Sequence, residues 1–270
     1  MMKKPTEEAY EELQHAYDFY NQALFDGQLP PCLITLQRQK RTFSYYSRRR
    51  FIRRDGRQTD EIALNPEYFA VIPMIEVLQS LVHEMVHLWQ NHFGHPSRAC
   101  YHNSEWADKL ESLGLVPSDT GEPGGNRTGQ TMSEFVVAGG RFEFVTQRLL
   151  ADGFEISWLD RFPAQPPSRP AWPLSLIQAN EPQPGHWLEM AQDEEEREEH
   201  EVALRAMAEA CIPLNKSHRE LQLETREDEN RSHRDKYTCP ACEMNVWGKP
   251  GLFVKCGLCD LAMPASKSRH

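Results

Sequence analysis

Apolar and polar positions follow two different periods along the first part of the chain. Between residues 6 and 25, large apolar side chains recur every three or four positions, which predicts an opening helix with one buried face. The Asp26-Gly27 and Pro30-Pro31 pairs predict the end of this helix. Three extended segments follow, at residues 34–38, 43–52 and 61–64, and their composition predicts short strands.

A second helix is predicted with Pro73 in its first turn, because pairs of apolar residues recur through several turns from residue 77 to residue 89. Apolar side chains cover most of its surface, as in a helix buried inside a domain. Residues 104–113 predict a shorter helix that ends at Gly114, and residues 117–131 predict a loop. A helix, then strands, then further helices is an order typical of α+β domains.

Two histidines lie four residues apart on the predicted buried helix, and a glutamate follows the first. His83 and His87 share one helix face, so both can bind one metal ion while Glu84 reaches the water molecule bound to that ion. A catalytic zinc ion needs a third protein ligand and an open fourth position, and His102 is the best candidate for that ligand. The alternative is a core helix whose histidines are only hydrogen-bonded.

Charge is distributed unevenly along the chain. The net charge of −10 argues against nucleic acid as a partner, yet nine basic residues and one acidic residue lie between positions 38 and 57. Aromatic residues are interleaved with these basic residues, a pattern typical of surfaces that bind phosphates and stack on bases. The alternative is a solvated hairpin whose aromatic residues face the core. The candidate phosphate contacts are Arg48, Arg49, Arg50, Arg53 and Arg54.

Four of the seven cysteines form two Cys-x-x-Cys pairs separated by thirteen residues. Two such pairs can close a tetrahedral thiolate site, which predicts a structural zinc ribbon. A redox pair does not need the second pair, and a zinc deaminase has Pro directly before its pair, where this chain has Thr238. Trp247, between the pairs, is a candidate for stacking on single-stranded nucleic acid, or it covers the ribbon. The candidate ligands are Cys239, Cys242, Cys256 and Cys259.

The remaining sequence mainly excludes other functions. Cys32, Cys100 and Cys211 are scattered, which favours a reducing compartment over a disulfide framework. The first residues lack the apolar segment of a signal peptide, and no apolar run is long enough to span a bilayer, so we expect a soluble cytoplasmic protein without a membrane partner. Residues 124–131 imitate a phosphate-binding loop, but Gln130 replaces its lysine, and we reject that interpretation.

Taken together, these motifs resemble the SprT-like metallopeptidases, the family that includes Spartan. The resemblance covers roughly residues 10–144 and 236–264. It implies a zinc peptidase in which His83, His87 and His102 bind the catalytic ion and Glu84 is the general base. It also implies a link to DNA, because the eukaryotic members degrade proteins crosslinked to DNA. The residues that carry it are His83-Glu84-Met85-Val86-His87, Tyr101-His102-Asn103-Ser104-Glu105-Trp106, Ile62-Ala63-Leu64-Asn65-Pro66 and the four cysteines.

The predicted fold class is α+β. We expect a zincin-like metallopeptidase domain at residues 6–150, a Pro-rich and then acidic helical linker at 151–235, and a zinc ribbon at 236–264. The Pro-rich part spans residues 162–184, and an acidic run spans 193–196. In such a domain we expect residues 62–65 to form the sheet edge that pairs with an extended substrate. Tyr101, His92 and His95 are candidates for stabilising an oxyanion.

The expected function is that of a zinc-dependent endopeptidase with one catalytic and one structural zinc ion. Its expected partners are a polypeptide substrate and DNA, with single strands favoured. Two alternatives stay open. One is a non-enzymatic, antirestriction-like protein that binds nucleic acid on a metallopeptidase scaffold, and the other is a soluble peptidase indifferent to DNA.

Overall fold

The computed structural model describes residues 3–98, 101–165, 202–203, 205–214, 221, 223–224 and 235–266. The chain divides into two compact units, Met1–Thr225 and Arg226–His270. The part of the predicted linker between residues 166 and 201, with most of the Pro-rich stretch and the whole acidic run, lies outside the described residues. Helices and strands both build the first unit, so the predicted α+β class is confirmed.

A three-stranded sheet forms one side of the first unit. Its strands are β1 (Leu33–Leu36), β2 (Ser44–Ile52) and β3 (Gln58–Leu64), in the order β1-β3-β2. β3 is central, parallel to β1 and antiparallel to β2, so the expectation that residues 62–65 form a free edge is wrong. The run from Ile62 to Leu64 is buried on both faces, which is the pattern of a central strand. The free edges belong to β1 and β2.

β2 is interrupted by a bulge at its arginines. The pairing with β3 shifts register between Ser47 and Phe51, and Arg49 has a φ of 48°. The backbone N–H of Arg49 donates to Asp60 Oδ1 at 2.6 Å, so the buried carboxylate of β3 satisfies a donor that the ladder leaves unpaired. The bulge therefore has a specific internal partner and presents three consecutive arginines outward.

Two helices pack beside this sheet, and a third packs against the second helix and against the hairpin that follows it. α1 (Pro5–Leu24), the predicted opening helix, buries an apolar and aromatic face, and the Tyr20 hydroxyl lies 2.8 Å from the Thr146 hydroxyl. α2 (Met74–Phe93) contacts both β2 and α3 (Ser104–Ser112). Pro73 lies at the N-cap of α2, one position before the predicted first turn. Within the described residues, no helix has the length and apolar character needed to cross a lipid bilayer.

A hairpin and a fourth helix complete the first unit. β4 (Leu115–Ser118) pairs with β5 (Ser133–Val136), and α4 (Arg141–Ala151) follows. Residues predicted as one loop, 117–131, therefore begin in β4 and lead to a strand that the sequence analysis did not predict. The core also extends beyond residue 150, because Phe154 and Ile156 and the helical residues Met207 and Ala210 are buried in it.

The second unit is small and rich in strands. β6 (Asp235–Thr238) lies between β10 (Ala265–Ser266) and β7 (Asn245–Gly248), while β8 (Val254–Lys255) pairs with β9 (Ala262–Met263). Its apolar core consists of four buried residues, two of which are cysteines from the predicted ribbon: Tyr237, Cys239, Cys256 and Met263. So small a core requires a staple, which the four cysteines can supply by holding a metal ion.

Candidate metal centre

The three predicted histidine ligands meet at one point in the first unit. The Nε2 atoms of His83 and His87, on neighbouring turns of α2, lie 3.2 and 3.0 Å from Nε2 of His102. One nitrogen from each ring lies within 4.8 Å of the other two. The i, i+4 spacing on α2 accounts for the first two positions, since it places both rings on one helix face.

His102 is placed by the loop that imitates a phosphate-binding motif. The backbones of His102 and Gly129 form a reciprocal pair, with N···O distances of 2.8 and 3.1 Å. His102 Nδ1 lies 3.2 Å from the Gly129 carbonyl oxygen. A carbonyl oxygen can only accept, so Nδ1 must donate the proton, and the lone pair of Nε2 is left free for a metal ion.

A capping network fixes the start of α3 beside His102. Asn103 is the N-cap residue, and its side-chain oxygen accepts from the Trp106 backbone N–H at 3.0 Å. The buried Gln90 of α2 donates to the same oxygen at 2.7 Å and to Glu105 Oε2 at 2.8 Å. Because Gln90 belongs to the helix that carries His83 and His87, the network fixes His102 relative to the other two histidines.

Glu134 of β5 holds His83, and the sequence analysis missed this residue. Its Oε2 lies 2.9 Å from His83 Nδ1, and the carboxylate is buried. Gln79 donates to the Glu134 backbone oxygen at 2.8 Å and to Oε1 at 3.2 Å. A carboxylate on the far nitrogen of a metal-binding histidine orients the ring and strengthens it as a ligand. No sequence motif marks Glu134, because its position depends on the pairing of β5 with β4.

The environment shifts the pKa values of the three histidines in different directions. Burial lowers the pKa of His102 to about 4 and moves that of His87 well below its ordinary value, and the positive charge of His83 adds to both effects. For His83, burial acts downward too, but the Glu134 carboxylate outweighs it and raises the pKa to about 9. His87 and His102 are therefore held in the neutral form that binds metal ions. The His83 ring interacts strongly with the Glu134 carboxylate.

Glu84 lies beside the histidines with its carboxylate buried. Burial raises its pKa, whereas the charge of His83 and a 2.6 Å hydrogen bond from the Ser44 hydroxyl to Oε1 lower it. Together with His83, Glu84 lines a cavity of about 470 Å³. One wall of this cavity is formed by residues 41–44 at the start of β2, and the other by residues 119–122 and 131–135.

The histidine cluster fits a metal ion with an open coordination position. Three imidazole nitrogens converge, two from α2 and one from the segment that precedes α3, and the Glu84 carboxylate lies beside them on the cavity. Three protein ligands with room for a further molecule is the donor set of catalytic zinc sites.

The four cysteines of the second unit fit a closed site. Their sulfur atoms lie within 4.8 Å of one another. Cys239 and Cys256 each accept a backbone N–H from a residue in a left-handed conformation, Glu243 with φ 57° and Asp260 with φ 56°. Backbone amides at Cys242 and Ala241 lower the pKa of Cys239 to about 6, which favours its thiolate form. Two matching turns thus present four sulfur ligands to one point.

The nucleic-acid contacts predicted from the sequence are exposed. Arg48, Arg49 and Arg50 are exposed on the β2 bulge, and Arg53 and Arg54 are exposed on the strand end and turn that follow. Trp247 on β7 is 61% exposed, so it does not cover the ribbon. The aromatic residues of the basic segment are divided, because Phe43 and Tyr46 pack against the core while Phe51 is exposed.

The three candidates for an oxyanion partner make contacts elsewhere. His92 Nε2 lies 2.6 Å from Asp60 Oδ2, and His95 is exposed and bound to Glu105. Tyr101 has the Arg98 guanidinium 5.8 Å from its ring centre. Among the scattered cysteines that the structure describes, burial raises the pKa of Cys32 to about 12 and that of Cys211 to about 11, so both are unreactive thiols.

Replacement of Glu134 by Gln tests its hold on His83. Glu134→Gln keeps the size of the side chain but removes the charge that orients the imidazole. We expect the metal affinity of the histidine cluster to fall about 10- to 100-fold, while the metal bound by the cysteines is unaffected. A chelator-competition titration of the full chain measures both. Glu143→Gln, which alters a buried carboxylate of α4, is the control and should keep wild-type affinity. Equal affinity in the two variants would contradict the role of Glu134.

Comparison with known proteins identifies the family. Residues 13–122 match the model of the SprT-like family. A protein of Salmonella typhimurium described as an uncharacterized protein in the mucB 3′ region is 61% identical over 59 residues, which cover 22% of this chain and 80% of that protein. No solved structure gives a significant match. With three converging histidines, a buried glutamate beside them and this similarity, the chain belongs to the SprT-like family.

Proposed function

We propose that this protein is a zinc-dependent endopeptidase. The observation that carries the proposal is the placement of Glu84, whose buried carboxylate lies next to three converging imidazoles and faces a cavity. A purely structural metal site has no use for a base at this position, and burying an ionisable group without a purpose destabilises a fold. This placement disfavours the alternative of a non-enzymatic scaffold.

The residues of the chain have separate tasks in such a reaction. His83, His87 and His102 would hold a zinc ion, which when bound would supply a Lewis acid at the scissile carbonyl and lower the pKa of water toward about 7. Glu84 accepts the proton of the attacking water and donates it to the leaving amine. The Ser44 hydroxyl binds Oε1 of Glu84, so the carboxylate keeps one orientation during both transfers.

The strands beside the cavity suit an extended polypeptide. The cavity walls include the segment that leads into the edge strand β2 and the strand β5, and backbone groups at such edges can pair with a substrate in extended conformation. Substrate pairing is therefore assigned to β2 instead of to residues 62–65. Apolar side chains from both walls, Phe43, Met132 and Phe135, line the cavity.

A link to DNA is the second part of the proposal. The five exposed arginines of the first unit lie within seven consecutive residues, on β2 and just after it, in a protein of net charge −10. In the second unit the exposed indole of Trp247 provides a ring for base stacking. We propose that these surfaces bind single-stranded DNA and localise the peptidase to proteins bound there. A peptidase indifferent to DNA is the alternative outcome.

The two metal centres should differ in how readily they lose their ions. We expect two zinc ions per chain, because the cysteines form a closed shell and the histidines do not. Mild chelation should remove the histidine-bound ion first, and His102→Ala should lose that ion alone. Elemental analysis before and after chelation measures both. One zinc ion per chain, or full zinc content in His102→Ala, would refute the assignment.

Replacement of Glu84 by Gln tests the proposed base. Glu84→Gln keeps size and polarity, so metal content should stay at two ions. Peptide cleavage should fall by at least about two orders of magnitude, the scale of a general-base contribution. Glu143→Gln removes a buried carboxylate outside the cavity and should cleave at the wild-type rate. Unchanged cleavage by Glu84→Gln would show that Glu84 is not the base.

The salt dependence of DNA binding tests the basic surface. Replacing the five arginines by Ser should flatten the slope of log affinity against log salt by several units, because each phosphate contact releases counterions. Replacing the same residues by Lys keeps the charges and should preserve the slope. Trp247→Ala should weaken binding by about 1–3 kcal/mol at unchanged slope, whereas Trp247→Phe should retain most of it.

Activity assays complete this test. Cleavage of a protein carried on single-stranded DNA should fall in the five-Ser variant and in Trp247→Ala, while cleavage of a short free peptide should persist in both. If neither variant alters DNA affinity at low salt, the protein is a DNA-indifferent peptidase.

A further inference from the structure

Trp106 of α3 lies against all three histidine rings. The centre of its indole lies 4.8 Å from that of His83, 5.3 Å from that of His87 and 4.4 Å from that of His102. It stacks on His87 at an interplanar angle of 29° and meets the other two edge-on, at 61° and 73°. The residue is completely buried. One rigid side chain is thus in contact with every proposed metal ligand.

The indole N–H of Trp106 destabilises the fold in a way that a phenyl ring would not. Trp106 Nε1 is buried and has no hydrogen-bond partner among the described residues. A buried donor without a partner destabilises a fold, and a phenylalanine at this place would fill apolar space without one. The larger ring offers what a phenyl ring does not, namely a surface wide enough to contact three imidazoles together.

The backbone of Trp106 is fixed by the cap of α3. Its backbone N–H donates to the Asn103 side chain that caps α3, and Gln90 of α2 binds the same oxygen. His102 lies four residues before Trp106, so the cap fixes the positions of both rings relative to α2. The indole is therefore a fixed surface between the helices, and the imidazoles rest on it.

We propose that Trp106 is a positioning residue of the metal centre, which sets the planes of the three imidazoles so that their Nε2 atoms point to one ion. The inference rests on the proposed metal site. Glu134 and the Gly129 carbonyl restrain His83 and His102 through hydrogen bonds to Nδ1. Trp106 contacts the faces and edges of all three imidazole rings and so also restrains the ring of His87.

The test uses two substitutions in the full chain with zinc retained in the cysteine site. Trp106→Leu removes the flat surface, and Trp106→Phe keeps a ring of shorter reach. We expect zinc affinity of the histidine cluster to fall at least about tenfold in Trp106→Leu, the scale found for groups that orient metal ligands, and by a smaller factor in Trp106→Phe. With Co²⁺ in the histidine site, the visible absorption bands should shift in both variants, because ligand geometry changes.

The matched control is Trp89→Leu. Trp89 is a half-buried tryptophan of α2 that packs against Lys109 of α3 and has no ring contact with the histidines among the described residues. It should leave zinc affinity and the Co²⁺ spectrum unchanged. A purely structural role for Trp106 predicts lower unfolding temperature in Trp106→Phe with wild-type affinity and spectrum, and that result would overturn the proposal.

Failure of this proposal is distinguishable from failure of the peptidase proposal. Metal affinity and the Co²⁺ spectrum are measured without substrate, so they report on Trp106 even if Glu84→Gln leaves cleavage unchanged. If Trp106→Leu does not fold, the Co²⁺ spectrum of Trp106→Phe tests the proposal by itself, and a wild-type spectrum overturns it.

Discussion

The first unit depends on keeping three imidazole nitrogens together in the neutral form that binds a metal ion. In that form the lone pairs of nitrogen atoms 3.0–3.2 Å apart repel one another, so each ring must be restrained from elsewhere in the fold. Glu134 restrains His83 and the Gly129 carbonyl restrains His102. His87 stacks on Tyr46 and on Trp106. These contacts require strand β2, the β4–β5 hairpin with its loop, and helix α3. Most elements of the first unit therefore help to hold the three histidines in place.

Some of this arrangement could be predicted from the sequence because it is local. The i, i+4 spacing places His83 and His87 on one face, and the apolar pattern of α2 marks a buried helix. The four cysteines of the ribbon meet as their spacing predicts. His102 needed a longer step, because it lies fifteen residues beyond His87 and outside the predicted helices.

The features that could not be predicted from the sequence depend on pairing between segments that are distant along the chain. Residues 62–65 were expected at a sheet edge, but β1 pairs with β3 in parallel and makes β3 the central strand. No local sequence pattern predicts this pairing. Glu134 could not be predicted because only the register of β5 against β4 turns its side chain toward His83. Gly129 belonged to a motif rejected for phosphate binding, and its use as a backbone acceptor for His102 has no sequence signature.

The arginine bulge on β2 has a physical role whatever it binds. β2 is an edge strand, and an exposed edge invites pairing with other chains. The bulge and its charges interrupt the regular ladder beyond Ser47, whereas Ser44 at the other end of the strand remains beside Glu84. The strand is thus divided into a regular half beside Glu84 and a half in which the bulge and the charges hinder pairing with another strand.

The β4–β5 hairpin and its connecting loop both line the cavity and hold the histidines in place. Residues 131–135 form a wall of the cavity, while Glu134 and Gly129 in the same segment hold two of the three histidines. A change in the length of this loop therefore alters the width of the cleft and the placement of the histidines together. In the proposed peptidase, divergence of substrate preference through this loop would be constrained, because a variant that widens the cleft by moving the hairpin would also displace the candidate metal ligands.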